Sequence, residues 1–287
     1  MKMIEPLQKD EVLLADIRDS IVPSGQWRMW WLGQSGFLIK WEDRYCLLDP
    51  YLSDSLTTKY ADTDKPHTRM TERVLAPDHL DFVHVVTSSH NHTDHLDGET
   101  LRSLVRVNPN LAMIIPEANR LFVAKRLQCD PVWPMGMTDG SQCEVMGFEF
   151  FGIPAAHEDL ETDEFRQHRF MGYIISFGDW SVYHSGDTLL YEGMVERLKP
   201  WNVDVALLPI NGRDPSRRVA GNLDGAQAAQ LAKDIGAQLV IPCHYDMFTF
   251  NTASPDGFIV ACSELNQRYC VMQNGEGLDS KSLQAST

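Results

Sequence analysis

The sequence has no C-x-x-C pair, no apolar run near the roughly 20 residues of a membrane span, and no excess of basic residues. The six cysteines, Cys46, Cys129, Cys143, Cys243, Cys262 and Cys270, stand apart along the chain. They are expected to be buried thiols of a reducing compartment. The opening Met1-Lys2-Met3-Ile4-Glu5-Pro6 lacks a basic-then-apolar leader, so a cytoplasmic protein with no membrane partner is expected. Lys and Arg number 25 against 40 Asp and Glu, a formal net charge of -15. That balance repels polyphosphate backbones and argues against DNA or RNA as a partner. It excludes small anions less firmly, because bound cations can dominate the local field of a site.

What is present is an ordinary globular composition, 43% hydrophobic and 23% charged over 287 residues. No internal repeat, low-complexity tract or linker interrupts it. A single domain over 1–287 is expected, with 1–25 as a lead-in whose amphipathic stretch Asp10–Ile21 stops at Val22-Pro23-Ser24-Gly25. Short aromatic-rich runs, Met29–Leu32, Gly36–Trp41 and Tyr45–Pro50, predict an antiparallel meander. Further strands are expected at Phe82–Thr87, Met113–Ile115, Cys143–Ile153, Met171–Phe177, Ser181–His184, Val203–Leu208, Leu239–Ile241 and Arg268–Met272. Helices are expected at Asp97–Val107, Ala118–Leu127, Tyr191–Leu198 and Asp224–Ile235. Strands first, then strands alternating with helices, fit a β-sandwich with helices outside. Residues 52–78 are polar and irregular, a surface loop of the length that lids and binding loops often have.

The chemistry concentrates in His90-Asn91-His92-Thr93-Asp94-His95, directly after an apolar strand. Side chains two apart on an extended strand end share a face, which would pair His90 with His92. Three imidazoles and a carboxylate at this spacing suit a borderline-soft divalent cation. Other strand tips carry further donors: His157 after Phe150–Ala156, Asp187 after Ser181–Gly186, and His244 after Leu239–Cys243.

These residues resemble the metallo-β-lactamase superfamily. The H-x-H-x-D-H motif is matched in full at 90–95, followed by His157, Asp187 and His244, with Leu47-Leu48-Asp49-Pro50 upstream. The resemblance implies an α+β, four-layer αββα sandwich of two mostly antiparallel sheets. It implies one or two divalent metal ions, Zn²⁺ or Mn²⁺ with Fe²⁺ also accommodated. His90, His92 and His157 would hold the first ion. Asp94, His95 and His244 would hold the second, with Asp187 bridging. Asp49 would orient the ligands. His184 is read as a buried histidine that supports the ligands, in preference to a substrate contact.

Met29–Gly33, Tyr183–Asp187, Val203–Leu207, Gly212–Pro215 and Val240–Asp246 are similar to the superfamily branch that contains L-ascorbate-6-phosphate lactonase. That resemblance implies a metal-activated water, with Asp94, Asp187 and His244 at the reaction centre, acting on a small anionic carbohydrate lactone or ester. It also points to the loop Asn211–Arg218 for substrate binding, through Arg213 and Arg217, because guanidinium forks match phosphate and carboxylate. Di-iron flavoproteins of this fold carry a carboxylate where His92 stands, so redox chemistry is not expected.

A phosphodiesterase is the enzymatic alternative. A metal-binding protein without catalysis is the alternative of another class. The three tryptophans Trp30, Trp31 and Trp41 would serve a core or a homo-oligomer interface equally well.

Overall fold

The computed structural model describes residues 2–284. Its strands are β1 Trp27–Gly33, β2 Gly36–Trp41, β3 Arg44–Leu48, β4 Val85–Thr87, β5 Ala112–Pro116, β6 Met135–Met137, β7 Gln142–Val145, β8 Phe148–Pro154, β9 Met171–Phe177, β10 Trp180–His184, β11 Val205–Pro209, β12 Leu239–Cys243 and β13 Gly277–Asp279. The α-helices are α1 Asp10–Asp19, α2 Ser55–Lys59, α3 Gly98–Val107, α4 Arg120–Leu127, α5 Met194–Leu198, α6 Gly225–Ile235, α7 Asp256–Glu264 and α8 Lys281–Gln284.

One sheet has the order β13-β1-β2-β3-β4-β5-β6 and the other β12-β11-β10-β9-β8-β7. Both are mixed. Among the described residues, six strand pairings are antiparallel and five parallel. The meander β1–β3 is antiparallel, and β3 to β6 then run parallel because helical crossovers intervene.

The apolar runs of the first sheet are continuous because both faces are covered. Met29, Trp31, Phe37, Ile39, Cys46, Leu48, Val85 and Ile114 join the core shared with the second sheet. Their alternate neighbours Trp30, Leu32, Leu38, Leu47, Val86, Met113 and Ile115 pack with α1, α3 and α4. This is the period of two that strand geometry imposes. Helix α1, in the lead-in, docks through Leu13, Leu14 and Ile17, each contributing about 1.5–3 kcal/mol of apolar burial. Across the molecule, α5 and α6 bury Leu198, Ala228, Leu231 and Ile235 on the second sheet. The layers are therefore helix, sheet, sheet, helix.

Several expectations shift at their edges. The run Cys143–Ile153 is a hairpin, because Met146 and Gly147 both adopt left-handed φ and form a two-residue turn between β7 and β8. Arg268–Met272 makes one bridge, Tyr269 to Val240, in place of a strand. Strand β4 begins at Val85, three residues later than expected. No helix among the described residues is long and apolar enough to cross a membrane.

The topology decides where the site lies. Within the first sheet β1, β3 and β4 run one way, and within the second β8, β10 and β12 run one way, given their parallel and antiparallel pairings; the residues after their C-terminal ends meet in one place. Their C-terminal ends share one rim of the sandwich. Gln34, Asp49, the 90–95 segment, His157, Asp187 and His244 all follow those ends.

Candidate metal centre

Strand β4 stops at Thr87, so His90 and His92 meet through a turn and not through extended alternation. The amides of His95 and Leu96 both bond to the His92 carbonyl, which closes one helical turn before Asp97 caps α3. The His90 and His92 rings lie 4.6 Å apart. Arg126 of α4 clamps the segment from outside, donating to the carbonyls of Asn91 at 2.8 Å and Leu96 at 3.1 Å. Gly186 has φ of +58°, and a Cβ there would stand 2.5 Å from that of Ser89. Only glycine lets the β10 end, and with it Asp187, approach the histidine turn so closely.

The sequence-derived donors come together. His90, His92 and His157 form one group, Asp94, His95 and His244 another, and His90, His95 and Asp187 a third. Within each, the ligand atoms lie within 4.8 Å of one another. Asp187 spans the groups: its Oδ1 is 3.2 Å from His95 Nε2, and its Oδ2 is 3.3 Å from His244 Nε2 and 3.6 Å from His157 Nε2.

The surroundings fix the tautomers. His157 Nδ1 lies 2.9 Å from the Gly221 carbonyl, which can only accept, so the proton sits on Nδ1 and Nε2 is bare. His95 Nδ1 donates to Asp49 Oδ2 at 2.7 Å. Ser89 gives its one hydroxyl proton to Asp49, so its Oγ accepts from His90 Nδ1 at 3.0 Å. Asp49 itself is held by Thr87 Oγ1 and the Ser89 amide, each at 3.0 Å. Bare Nε2 atoms therefore converge on carboxylate oxygens. His90 Nε2, His95 Nε2 and Asp187 Oδ1 are buried with no hydrogen-bond partner. Acceptors facing acceptors in a buried place need a cation between them. The imidazole–carboxylate donor set fits a divalent ion of the zinc type.

The proton affinities say the same. Burial, together with the charges of His95 and His92, holds His90 well below the usual histidine range. Loss of water around its ring, with His157 beside it, lowers His92 to about 4. Burial also lowers His157. Burial opposes charge on His95 and His244 too, yet the carboxylates of Asp187 and Asp94 prevail, raising His95 well above its ordinary value and His244 to about 9. Asp94 and Asp187 stay well below the usual carboxylate range despite burial, held there by His95 and His244. The raised affinities of His95 and His244 mark the same surplus of negative charge that a cation would balance.

His184 is buried, its Nε2 3.0 Å from the Ser35 carbonyl, where it supports the β1–β2 turn. The centre opens on a cavity of about 510 Å³. Lys59, Lys65, Arg126 and Arg218 line it, as do Tyr60, His67 and Phe248. Arg213 and Arg217 do not line it. Arg213 pairs with Glu158 at 2.5 Å, and Arg217 is spent on Asn251 Oδ1 at 2.6 Å and the Asn211 carbonyl at 2.8 Å. Arg218 turns the other way because its own φ is +51°. The 52–78 segment, expected as a loop, contributes helix α2 and the lining residues Leu56, Lys59, Tyr60, Lys65 and His67. Gln34, in the β1–β2 turn, has its side chain inside the centre, and no sequence motif marked it.

Residues 44–245 match the family model described as the beta-lactamase superfamily domain. A UPF0173 metal-dependent hydrolase of Methanosarcina mazei is 28% identical over 252 residues, covering 86% of this chain and 96% of that one. One from Alkaliphilus metalliredigens is 30% identical, covering 79% and 89%. The solved structure of Igni18, a metallo hydrolase from Ignicoccus hospitalis, superposes with a TM-score of 0.64 at 22% identity over 88% of this chain and 98% of that one. At that identity it shows the fold alone.

Proposed function

From the premise that this chain belongs to the beta-lactamase superfamily, among relatives called UPF0173 metal-dependent hydrolases, we propose that it hydrolyses a small anionic lactone or ester with a metal-activated water. The observation that carries the reading is the set of buried, partnerless ligand atoms of His90, His95 and Asp187 at the floor of a cavity rimmed by cations. When bound there, a divalent ion supplies the Lewis acidity that ionises water near neutral pH and polarises a carbonyl.

The chain's own residues do the rest. His90 and His157 present bare Nε2 atoms, and His92, Asp94, His95, His244 and Asp187 complete the donor set. Asp94 Oδ2 is occupied by the Gln34 amide at 2.8 Å. Its Oδ1 is then the oxygen left to accept a hydrogen bond from the attacking water and orient it. Lys59, at the end of α2, and Arg218, whose guanidinium also pairs with Asp64, line the cavity and hold the anionic end of the substrate. The chain carries a net charge of -15, so this cationic rim is a local exception that selects for anions. Cys243 is buried, and burial raises its thiol well above the ordinary range, so it serves packing and not nucleophilic attack.

The test is a panel of lactones and esters, with and without a carboxylate or phosphate, run beside bis-p-nitrophenyl phosphate on protein loaded with Zn²⁺ or Mn²⁺. Turnover of the anionic lactones or esters is the expected result. Cleavage of the phosphodiester alone would replace the reading with a phosphodiesterase. No turnover of any substrate by fully metallated protein would favour a non-catalytic metal-binding role.

A further inference from the structure

Gln34 is buried to 1% exposure, and its side chain stands inside the centre among the donor groups. Its backbone leaves it no freedom. The His244 amide and Trp31 Nε1 both donate to the Gln34 carbonyl at 3.0 Å, φ is +51°, and Gly33 before it has φ of +99° where a Cβ would strike Asn274 and Met247 at 2.5 Å. The side chain is thus aimed between Asp94 and His244. Its Nε2 lies 2.8 Å from Asp94 Oδ2 and rests against the His244 ring, 2.9 Å from Nε2 and 3.3 Å from Nδ1, while Oε1 is buried with no partner. An NH₂ group at hydrogen-bond distance from two members of one ligand group supplies the positive end that the group lacks. A dipole pointing its donors at an ionised carboxylate opposes a cation that seeks the same lone pairs.

We propose that Gln34 is a positioning residue that competes with the second cation: its amide caps Asp94 and His244 and makes that position bind much more weakly than the His90–His92–His157 position. The inference rests on the metal-hydrolase reading above, and it concerns the order of filling. A chain with a tight first site and a weak, gated second site would work with one ion at low metal and two at high metal.

The test uses the full chain, stripped of metal, and Zn²⁺ titrated against a chelating indicator. Bound metal and thermal melting are read alongside, so activity is not needed. Wild type should bind a first equivalent tightly and a second at least about tenfold more weakly, as expected from one hydrogen bond to a charged group. Gln34→Ala and Gln34→Glu should each tighten the second equivalent by about tenfold or more and leave the first within twofold. The charged variant keeps the side chain's length, so it carries the test should the alanine variant fail to fold. A second equivalent that is unchanged or weaker in both variants, beside an intact first, would overturn the competition and leave the hydrolase reading standing. Absence of any bound equivalent in wild type would remove the metal reading, and this inference with it.

Discussion

At the scale of single residues, the centre is organised from behind its ligands. Asp49 has no place among the donors facing the cavity, yet it receives protons from His95, Ser89 and Thr87 and so fixes which nitrogen of His95, and through Ser89 which nitrogen of His90, is bare. Burial works against its ionisation, but the positive character of His184 and His95 keeps its carboxyl below the usual value. Replacing it by Asn puts an amide donor where acceptors are needed. Asp49→Asn should therefore weaken the first metal equivalent about 10- to 100-fold, read by chelator competition, with far-ultraviolet circular dichroism unchanged; undiminished affinity would contradict the role. Asp49, Gln34 and His244 all hold left-handed φ without being glycine, the local strain that functional positions carry.

The arginines of 213–218 separate at the same scale. Arg218→Ala should raise KM for an anionic substrate about tenfold and spare kcat, whereas Arg213→Ala, whose guanidinium is tied to Glu158 outside the cavity, should leave KM within twofold. Equal effects in steady-state kinetics would count against the rim. The histidine run was legible in the sequence because its spacing is local. Gln34, Lys59 and Arg218 were not, since a glutamine in a turn and cations on a helix end and a loop far apart in sequence acquire meaning only when the fold brings them to one cavity. Arg217 and Arg218 are neighbours in sequence, yet Arg217 turns in to brace Asn211 and Asn251 while Arg218, at a left-handed φ, lines the cavity.

At the scale of elements, the long apolar strands were readable because both faces of the first sheet are buried and their composition is uniform. The short edge strands β6 and β13, three residues each, were not, because their pairing depends on the partner and not on their own pattern. Helix α7 escaped notice for a similar reason: its Pro255 N-cap makes no side-chain hydrogen bond, and among its described residues only Phe258 and Cys262 are fully buried. Helix α6 shows the opposite case. Asp224 accepts from the Gln227 amide and the Gln227 side chain accepts from the Asp224 amide, a reciprocal cap that its sequence announces. Asp224→Ala should cost about 1 kcal/mol in urea unfolding. A cost near zero would mean that the Asp224 side-chain cap does not hold this helix.

At the scale of the whole molecule, two sheets bury their shared face and leave one rim of strand ends to carry every polar donor. The interior supplies rigidity, and the rim supplies a concentrated set of acceptors that the fold does not satisfy by itself. The chain carries a net charge of -15, while four cations, Lys59, Lys65, Arg126 and Arg218, line the cavity beside Asp94 and Asp187. A bound ion links these scales, because a ligand that binds only the folded state stabilises it by about 2.7 kcal/mol at a free concentration of 100 times Kd.

Elemental analysis tests that link most directly. Wild type and His92→Ala are stripped with a chelator, returned to excess Zn²⁺ and desalted, and their metal content, melting temperature and hydrolysis are measured on the same samples. The account predicts at least one retained ion per wild-type chain with a raised melting temperature, and loss of both the tightly held ion and most turnover in the variant. Wild-type protein that keeps no ion, or a variant that keeps as much metal and activity as wild type, would contradict it.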